Sequence, residues 1–385
     1  MSKVEELLAK YNPNGVFQSD LREVSSIIRG KRVTKRDVKE CGDYPVISGG
    51  ESPMGYYDTF NREANTITIA QYGAAGYVDF QKNKFWANDV CYSILPFESV
   101  DNKYLYYTLK SKQNYIYSIR NTDAVPFSLP INTLYSIQIP LPHIKVQEKI
   151  VKILDSFTNL IDALNEELSL RQKQFEYYRE KLLTFDDNVN WDLFDNIGEI
   201  TDYVANGSFA DLKKNVKYLQ ESNYAILVRT LDLSSNFKNN NFVYIDKNAY
   251  DFLEKSKLFG GEIIINNVGA GVGTVFCCPK LERKMSLGPN SVVLKTDNNK
   301  FYYYWLSSKQ GQDKIFQITS FSALPKFNKT SFKQILFPVI DEKIDADYIV
   351  EKLDAFESLI SSLKEEIALR QKQYEYYREK LLTFD

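Results

Sequence analysis

Lys31-Arg32, Lys35-Arg36 and Lys39 place five cations within nine residues. Cations at that density neutralise phosphates, and arginine also reads guanine through two parallel hydrogen bonds. A solvated loop is the alternative for the same run. Ser48-Gly49-Gly50, followed by Tyr56-Tyr57, brings hydroxyls, bare backbone and aromatics together. Backbone N–H groups and Ser or Tyr hydroxyls are common phosphate donors; a tight turn with packed tyrosines is the alternative. Gln71-Tyr72-Gly73 follows an apolar strand pattern at Ile67 and Ile69, and glutamine pairs with adenine in the major groove. Asn88 and Asp89 add groups suited to base edges, whereas the adjacent Trp86 reads as core.

The second half offers a comparable set. Lys213, Lys214 and Lys217 form a basic run, and Arg229 follows the apolar stretch from Ala225 to Val228. Asn266-Asn267 follows Ile263 to Ile265, in the place that Gln71 takes in the first half. Arg283-Lys284 and Lys326-Phe327-Asn328-Lys329 complete the candidates.

Other chemistries find little support. The chain has one histidine, His143, in a Leu-Pro-His joint that reads as structural or solvated. That removes most His-based catalysis and most His-containing metal sites. Cys41, Cys91, Cys277 and Cys278 have no CxxC spacing, which fits a reducing compartment. Gly269, Gly271 and Gly273 lack the GxGxxG spacing and a following helical pattern, so they read as a β-turn. No P-loop, adenine-methyltransferase loop or nuclease carboxylate pattern is apparent. We expect recognition without catalysis.

The elements that must position these residues come in duplicate. Residues 170–186 return at 369–385 with one change in seventeen, Phe175 becoming Tyr374. Asn102 to Leu109 has its counterpart in Asn299 to Leu306, and Ala124-Val125-Pro126 in Ala323-Leu324-Pro325. Self-similarity on this scale fixes the architecture before any single motif does. Each half is a variable globular domain followed by a nearly invariant tail. With 385 residues, the chain fits two domains of ordinary size.

In each tail, seam residues step alternately by four and three. The first copy has Leu154, Phe157, Ile161, Leu164 and Leu168; the second has Leu353, Phe356, Ile360, Leu363 and Ile367. This is the 3.5-residue period of a coiled coil, and the mate we expect for each copy is the other. A parallel pair would set Arg171 against Arg370 inside the seam, which is costly, so the antiparallel pair is expected. It would place each arginine near the other helix's Ile161 or Ile360 and near acidic flanks, and the two domains at opposite ends of a rod. The short helix expected around Val4 to Leu8 should pack near the end of the C-terminal helix.

Charge follows the same division. Net charge is −2 overall, but residues 16–140 carry +1 and 191–338 carry +4, while the tails 145–190 and 339–385 carry −2 and −5. Mildly basic domains on acidic helices suit contact between the domains and a polyanion. Ordinary Glu-rich solvated helices are the alternative. A near-symmetric frame bearing unlike heads suits a ligand site in two unlike parts with an unread spacer.

This tandem plan resembles the specificity subunit of type I restriction–modification enzymes. So do Pro45-Val46-Ile47-Ser48-Gly49-Gly50, Gly55-Tyr56-Tyr57-Asp58, Phe85-Trp86-Ala87-Asn88-Asp89-Val90, the Pro140-Leu141-Pro142 exit and the repeated Arg-Gln-Lys-Gln-Phe-Glu-Tyr-Tyr-Arg. The resemblance covers essentially the whole chain, although Ser48-Gly49-Gly50 and Trp86 to Asp89 have no clear copies in the second half. It implies an α+β fold: two target recognition domains of mixed sheet and short helices, separated by two long helices in an antiparallel coiled coil, as a pseudo-two-fold tandem repeat. The implied boundaries are 1–144, 145–186, 187–340 and 341–385. Each domain would read half of a bipartite duplex DNA site. The helices would set the spacing and dock two methyltransferase subunits carrying S-adenosylmethionine, joined by restriction subunits using ATP and Mg²⁺. The chain itself would hold no cofactor or metal and would be cytoplasmic; it shows no long apolar run and no signal peptide. The alternatives are a scaffold with two protein-binding heads on a helical rod, and a self-contained methyltransferase.

Overall fold

The computed structural model describes residues 2–123, 125–238 and 241–384. Ala124 of the Ala-Val-Pro match and Asp385 of the second tail copy lie outside them. The chain forms two compact units, residues 1–166 with 364–385, and residues 167–363.

The first unit opens with helix α1 (Ser2–Tyr11) and strands β1 (Phe17–Asp20) and β2 (Ser25–Arg29). There follow β3 (Tyr44–Ile47), β4 (Tyr56–Tyr57), β5 (Thr66–Ala70), β6 (Val78–Gln81), β7 (Trp86–Ala87) and β8 (Cys91–Pro96). Helix α2 (Asn102–Ser111) and β9 (Gln138–Leu141) lead into helix α3 (Ile144–Leu183). One antiparallel sheet has the order β2-β8-β5-β6. All five residues of β5 are buried, as a β-branched run flanked on both edges permits. A second sheet, β4-β3-β7, pairs β3 with β7 in parallel, Val46 opposite Trp86 and Ile47 opposite Ala87.

The second unit repeats this plan with additions. Its strands are β10 (Trp191–Leu193), β11 (Glu199–Asp202), β12 (Ala225–Val228), β13 (Tyr244–Ile245), β14 (Lys257–Leu258), β15 (Ile263–Asn266), β16 (Val275–Cys277), β17 (Lys284–Leu287) and β18 (Ser291–Lys295). Helix α4 (Asn299–Ser307) and β19 (Leu336–Pro338) precede helix α5 (Ala346–Leu382). The order β11-β18-β15-β16 matches the first unit's main sheet. In the other sheet, β13-β12-β17-β14, the pair β12 and β17 is again parallel, with β14 added at the edge.

Neither long helix contains proline or glycine, so the backbone runs unbroken for 40 and 37 residues. The antiparallel expectation holds within each unit. In the first, Ile150 and Leu154 near the start of α3 share an apolar cluster with Tyr374, Leu381 and Leu382 near the end of α5. In the second, Phe175, Leu182 and Leu183 near the end of α3 join Ile349 and Leu353 near the start of α5. Leu154 and Leu353 are fully buried; Phe157, Ile161, Leu164, Leu168, Phe356, Ile360 and Ile367 are half-buried, and Leu363 is buried. The seam arginines are satisfied differently from expectation. Arg171 bonds Glu167 and Gln174, and Arg370 bonds Glu366 and Gln373, so each is neutralised on its own helix.

The same three-residue anchor ties each domain to its long helix. Lys103 Nζ and Tyr107 Oη donate to Asp155 at 2.6 and 2.7 Å. In the second unit Lys300 and Tyr304 reach Asp354. Helix α1 packs where expected: Val4, 4% exposed, lies in the cluster containing Leu381 and Leu382. His143 is a structural joint, stacked on Tyr11 with centroids 4.4 Å apart.

Candidate nucleic-acid interface

In the first unit, β2, β3, β5 and β7 all end toward the same side, because β8 starts there and runs antiparallel to both β2 and β5. The loops that leave these strands are sewn together by their backbones. Asn88 N–H donates to Ile47 O at 2.8 Å, and Gln71 N–H to Val90 O at 2.8 Å. Ala74 N–H donates to Gly49 O, Lys31 N–H to Ala87 O and Leu129 N–H to Gln71 O, at 2.8, 2.9 and 2.9 Å. Gly49 is needed for this closeness: a Cβ there would lie 2.4 Å from Tyr72 O. Gly73, at φ +76°, faces Gly49 O in the same way.

The cluster therefore collects Lys31, Arg32, Ser48, Gly49, Gln71, Tyr72 and Asn88, with Lys35 and Arg36 further along the first loop. The four basic residues are exposed and have no side-chain hydrogen bond or ion pair among the described residues. Tyr72 is 39% exposed. Gln71 is only 5% exposed, and its side-chain amide has no hydrogen-bond partner among the described residues. Two of the candidates sit apart from the exposed cations. Asn88 is 4% exposed and spends its amide on the protein, accepting from Val33 N–H and donating to Val33 O, both at 3.1 Å. Tyr56 pairs with Pro45 and exchanges backbone bonds with Lys39, near the start of β3 rather than at its loop end.

The second unit builds the same cluster from different side chains. Gly288 N–H donates to Val228 O at 2.8 Å, as Asn88 does to Ile47. Asn267 N–H donates to Asn290 O at 3.1 Å and Asn267 O accepts from Phe327 N–H at 3.2 Å, as Gln71 does with Val90 and Leu129. Asn267, rather than Asn266, is thus the counterpart of Gln71. Arg229 stands at the register of Ser48, and Gly288 at that of Asn88. These are the copies that the sequence did not reveal, since the strand pairing is kept while the residues change.

Several second-unit candidates are engaged with the protein itself. Arg229 donates to Asp232 Oδ1 at 2.8 Å and Asn241 O at 2.7 Å, and the fully buried Asp232 holds it further toward the charged form. Arg283 donates to Ser222 Oγ and Asn223 O, and Lys284 donates to Tyr224 Oη. Lys329 bonds Asp202, and Asn328 caps the short helix Lys329–Lys333. Asn266 is 5% exposed and turns its Oδ1 to Val268 N–H at 3.4 Å. These side chains brace the loops of the second unit from within, and Asn267 likewise turns its Nδ2 to Phe327 O at 3.4 Å. Lys213 and Lys214 are exposed on the short helix Phe209–Asn215, and Lys326 is exposed beside the bridges to Val268 and Ser320.

Sequence reasoning missed the apolar residues on the neighbouring hairpins. Phe127 is 39% exposed under the Arg120 guanidinium, at 4.6 Å. Phe321 and Leu324 are 58% and 56% exposed on the corresponding hairpin of the second unit. It also missed an exposed face on the repeated helices. Leu170 and Leu369 are each 59% exposed, and Tyr177 and Tyr376 are 60% and 58% exposed. Their repetition signalled a shared constraint, but not which side of the helix bore it.

Among the described residues, no group of three His, Cys, Asp or Glu residues is placed to hold a metal, and no helix is long and apolar enough to cross a membrane.

Two unlike loop clusters, each built on the same α+β plan and each followed by a long helix, define a class of tandem-repeat recognition proteins. Residues 13–170 and 188–369 both match the family described as the type I restriction modification DNA specificity domain, and the chain belongs to that family. A putative type I restriction enzyme specificity subunit from Haemophilus influenzae is 28% identical, with 94% of each chain covered. The EcoR124I/EcoR124II specificity subunit of Escherichia coli is 29% identical over 73% of this chain and 70% of its own length. The fold is similar to that of a type I system S subunit from M. genitalium, with a TM-score of 0.65, 18% identity and 96% of each chain covered.

Proposed function

We propose that the chain reads a bipartite, asymmetric site in duplex DNA for a type I restriction–modification complex. The observation that supports this best is the repeated loop cluster with exchanged side chains: Gln71 against Asn267, Ser48 against Arg229, Asn88 against Gly288. The frame is common to both domains, whereas the groups offered to a ligand differ. Domain one, residues 1–144, would read one half-site, and domain two, residues 187–340, the other. Lys31, Arg32, Lys35 and Arg36 would neutralise phosphates in the first; Lys213, Lys214 and Lys326 would do so in the second. The paired helices would set the length of the unread gap.

The catalytic work would belong to partners. The exposed Leu170 and Tyr177 face and its copy at Leu369 and Tyr376 would each receive one methyltransferase subunit, since surface residues are kept there while the domains diverge. Those subunits would carry S-adenosylmethionine and methylate adenine; restriction subunits would add ATP- and Mg²⁺-dependent cleavage. The complex would work in the cytoplasm. Co-expression with the cognate methyltransferase, followed by genome-wide mapping of modified adenines, tests this. A split motif with a fixed gap is expected; a continuous motif, or none, rejects the bipartite reading.

A further inference from the structure

We propose that Asn88 is a positioning residue that presents the basic loop of domain one to its half-site. The proposal rests on the reading that this loop touches DNA, and carries it to a residue that does not touch DNA itself. The Asn88 amide meets Val33 as a neighbouring strand would. Its Oδ1 accepts from Val33 N–H and its Nδ2 donates to Val33 O, both at 3.1 Å. The same Nδ2 lies 3.3 Å from Ser48 Oγ, at the start of the next loop. One buried amide therefore fixes two loops of the cluster.

The rest of the basic loop is held with equal care. Lys31 N–H donates to Ala87 O at 2.9 Å, and Lys31 O accepts from Trp86 Nε1 at 2.8 Å. Asp37 Oδ2 accepts from both Thr34 N–H and Thr34 Oγ1, each at 2.7 Å. The loop is thus pinned at Lys31, Val33 and Thr34, yet Lys31, Arg32, Lys35 and Arg36 find no side-chain partner among the described residues. Rigid backbone beneath free cations is the arrangement that matches a fixed array of phosphates at small entropic cost. Val33 is 9% exposed, so loss of the amide leaves its backbone N–H and C=O short of their buried partner. Domain two carries Gly288 at this register and fixes its loop through Arg229, Asp232 and Asn241 instead. The effect of Asn88 is therefore confined to domain one.

The test uses the full chain assembled with its methyltransferase subunits. Binding to a short labelled duplex, cut from a genomic position that the complex modifies, is measured against salt. Removing all four cations (Lys31→Ala, Arg32→Ala, Lys35→Ala, Arg36→Ala) is expected to weaken binding and flatten the salt dependence by about 0.9 for each phosphate no longer neutralised. Asn88→Asp keeps the shape but sets a carboxylate oxygen against Val33 O, where the amide donated, while the Ser48 hydroxyl can turn to donate instead. It is expected to weaken binding about tenfold or more, to flatten the salt slope by about 2, and to add nothing to the four-cation variant. Asn88→Gly installs the residue that domain two carries at this register, and gives the same result if the aspartate variant fails to fold. An unchanged salt slope in the Asn88 variants, or effects that simply add to those of the four-cation variant, overturns the positioning role. A four-cation variant that binds as tightly as the parent chain rejects DNA binding by the loop itself.

Discussion

Phe157 lies over Tyr377, with ring centroids 5.3 Å apart and planes 22° apart. The second unit holds the reciprocal pair, Tyr178 over Phe356, at 5.4 Å and 20°. Position 157 corresponds to 356 and 178 to 377 in the duplicated sequence. A residue early in one helix thus meets a residue late in the other, twice, as only antiparallel pairing allows. Stacked aromatics contribute beyond their buried area. Phe157→Ala and Phe356→Ala should each destabilise their own unit by about 2–3 kcal/mol. Urea unfolding followed by tryptophan fluorescence resolves them in two backgrounds, one keeping only Trp86 in the first unit and one keeping only Trp191 and Trp305 in the second. Equal shifts in both signals for either variant would show that the pairs do not act locally.

Thiol chemistry provides an independent check on the sheets. Burial pushes the Cys91 thiol up to about 12, and burial likewise raises that of Cys278. A raised thiol pKa depletes the reactive thiolate at every pH below it. At about pH 8, a disulfide reagent should therefore label the exposed Cys41 promptly and leave Cys91 and Cys278 untouched until the chain unfolds. Counting thiols released before and after adding denaturant measures this. Prompt reaction of Cys91 would mean that β8 is open to solvent at its first residue.

Helix α1 is short, and ten residues alone in water would be marginal. Packing stabilises it, with Val4 buried in the cluster that also holds Leu381 and Leu382. Val4→Asp would place a charge there with no partner, at a cost of about 3 kcal/mol or more. Calorimetry should show the first unit's transition moving down while the second unit's stays. Deleting residues 1–14 should shift the same transition in the same direction.

Periodicity and repetition made the frame legible. The four-and-three stepping of the tails survives into the structure because an apolar stripe of that length has to be covered. The copy of Asn102 to Leu109 likewise keeps its Lys-Tyr anchor to an aspartate on the following long helix. The loops were less legible, since nothing in composition separates a cation that waits for phosphate from one that braces its own domain. Arg32 and Arg229 look alike in sequence; only Asp232 and the carbonyl of Asn241 distinguish them. The copy of β3 and β7 was hidden for a related reason. Parallel pairing is carried by backbone groups, so Ile47 and Val228 can hold the same register while Ser48 becomes Arg229.

Gln71 and Asn267 offer the sharpest test of how each domain reads its half-site. Both are fixed through backbone N–H and C=O at equivalent points of the cluster. Gln71 is almost enclosed, yet its amide is left without a protein partner among the described residues. Glutamine and asparagine both pair with adenine, an interaction that contributes about 1–3 kcal/mol of discrimination against the wrong base. Gln71→Leu keeps much of the volume but removes both the donor and the acceptor. It should relax or change the motif at one base of one half-site, leaving the gap and the other half-site as they were. Asn267→Leu should do the same to the opposite half. Sequencing of modified adenines in cells expressing each variant measures both. A change in both halves from either substitution would mean that the domains do not read independently.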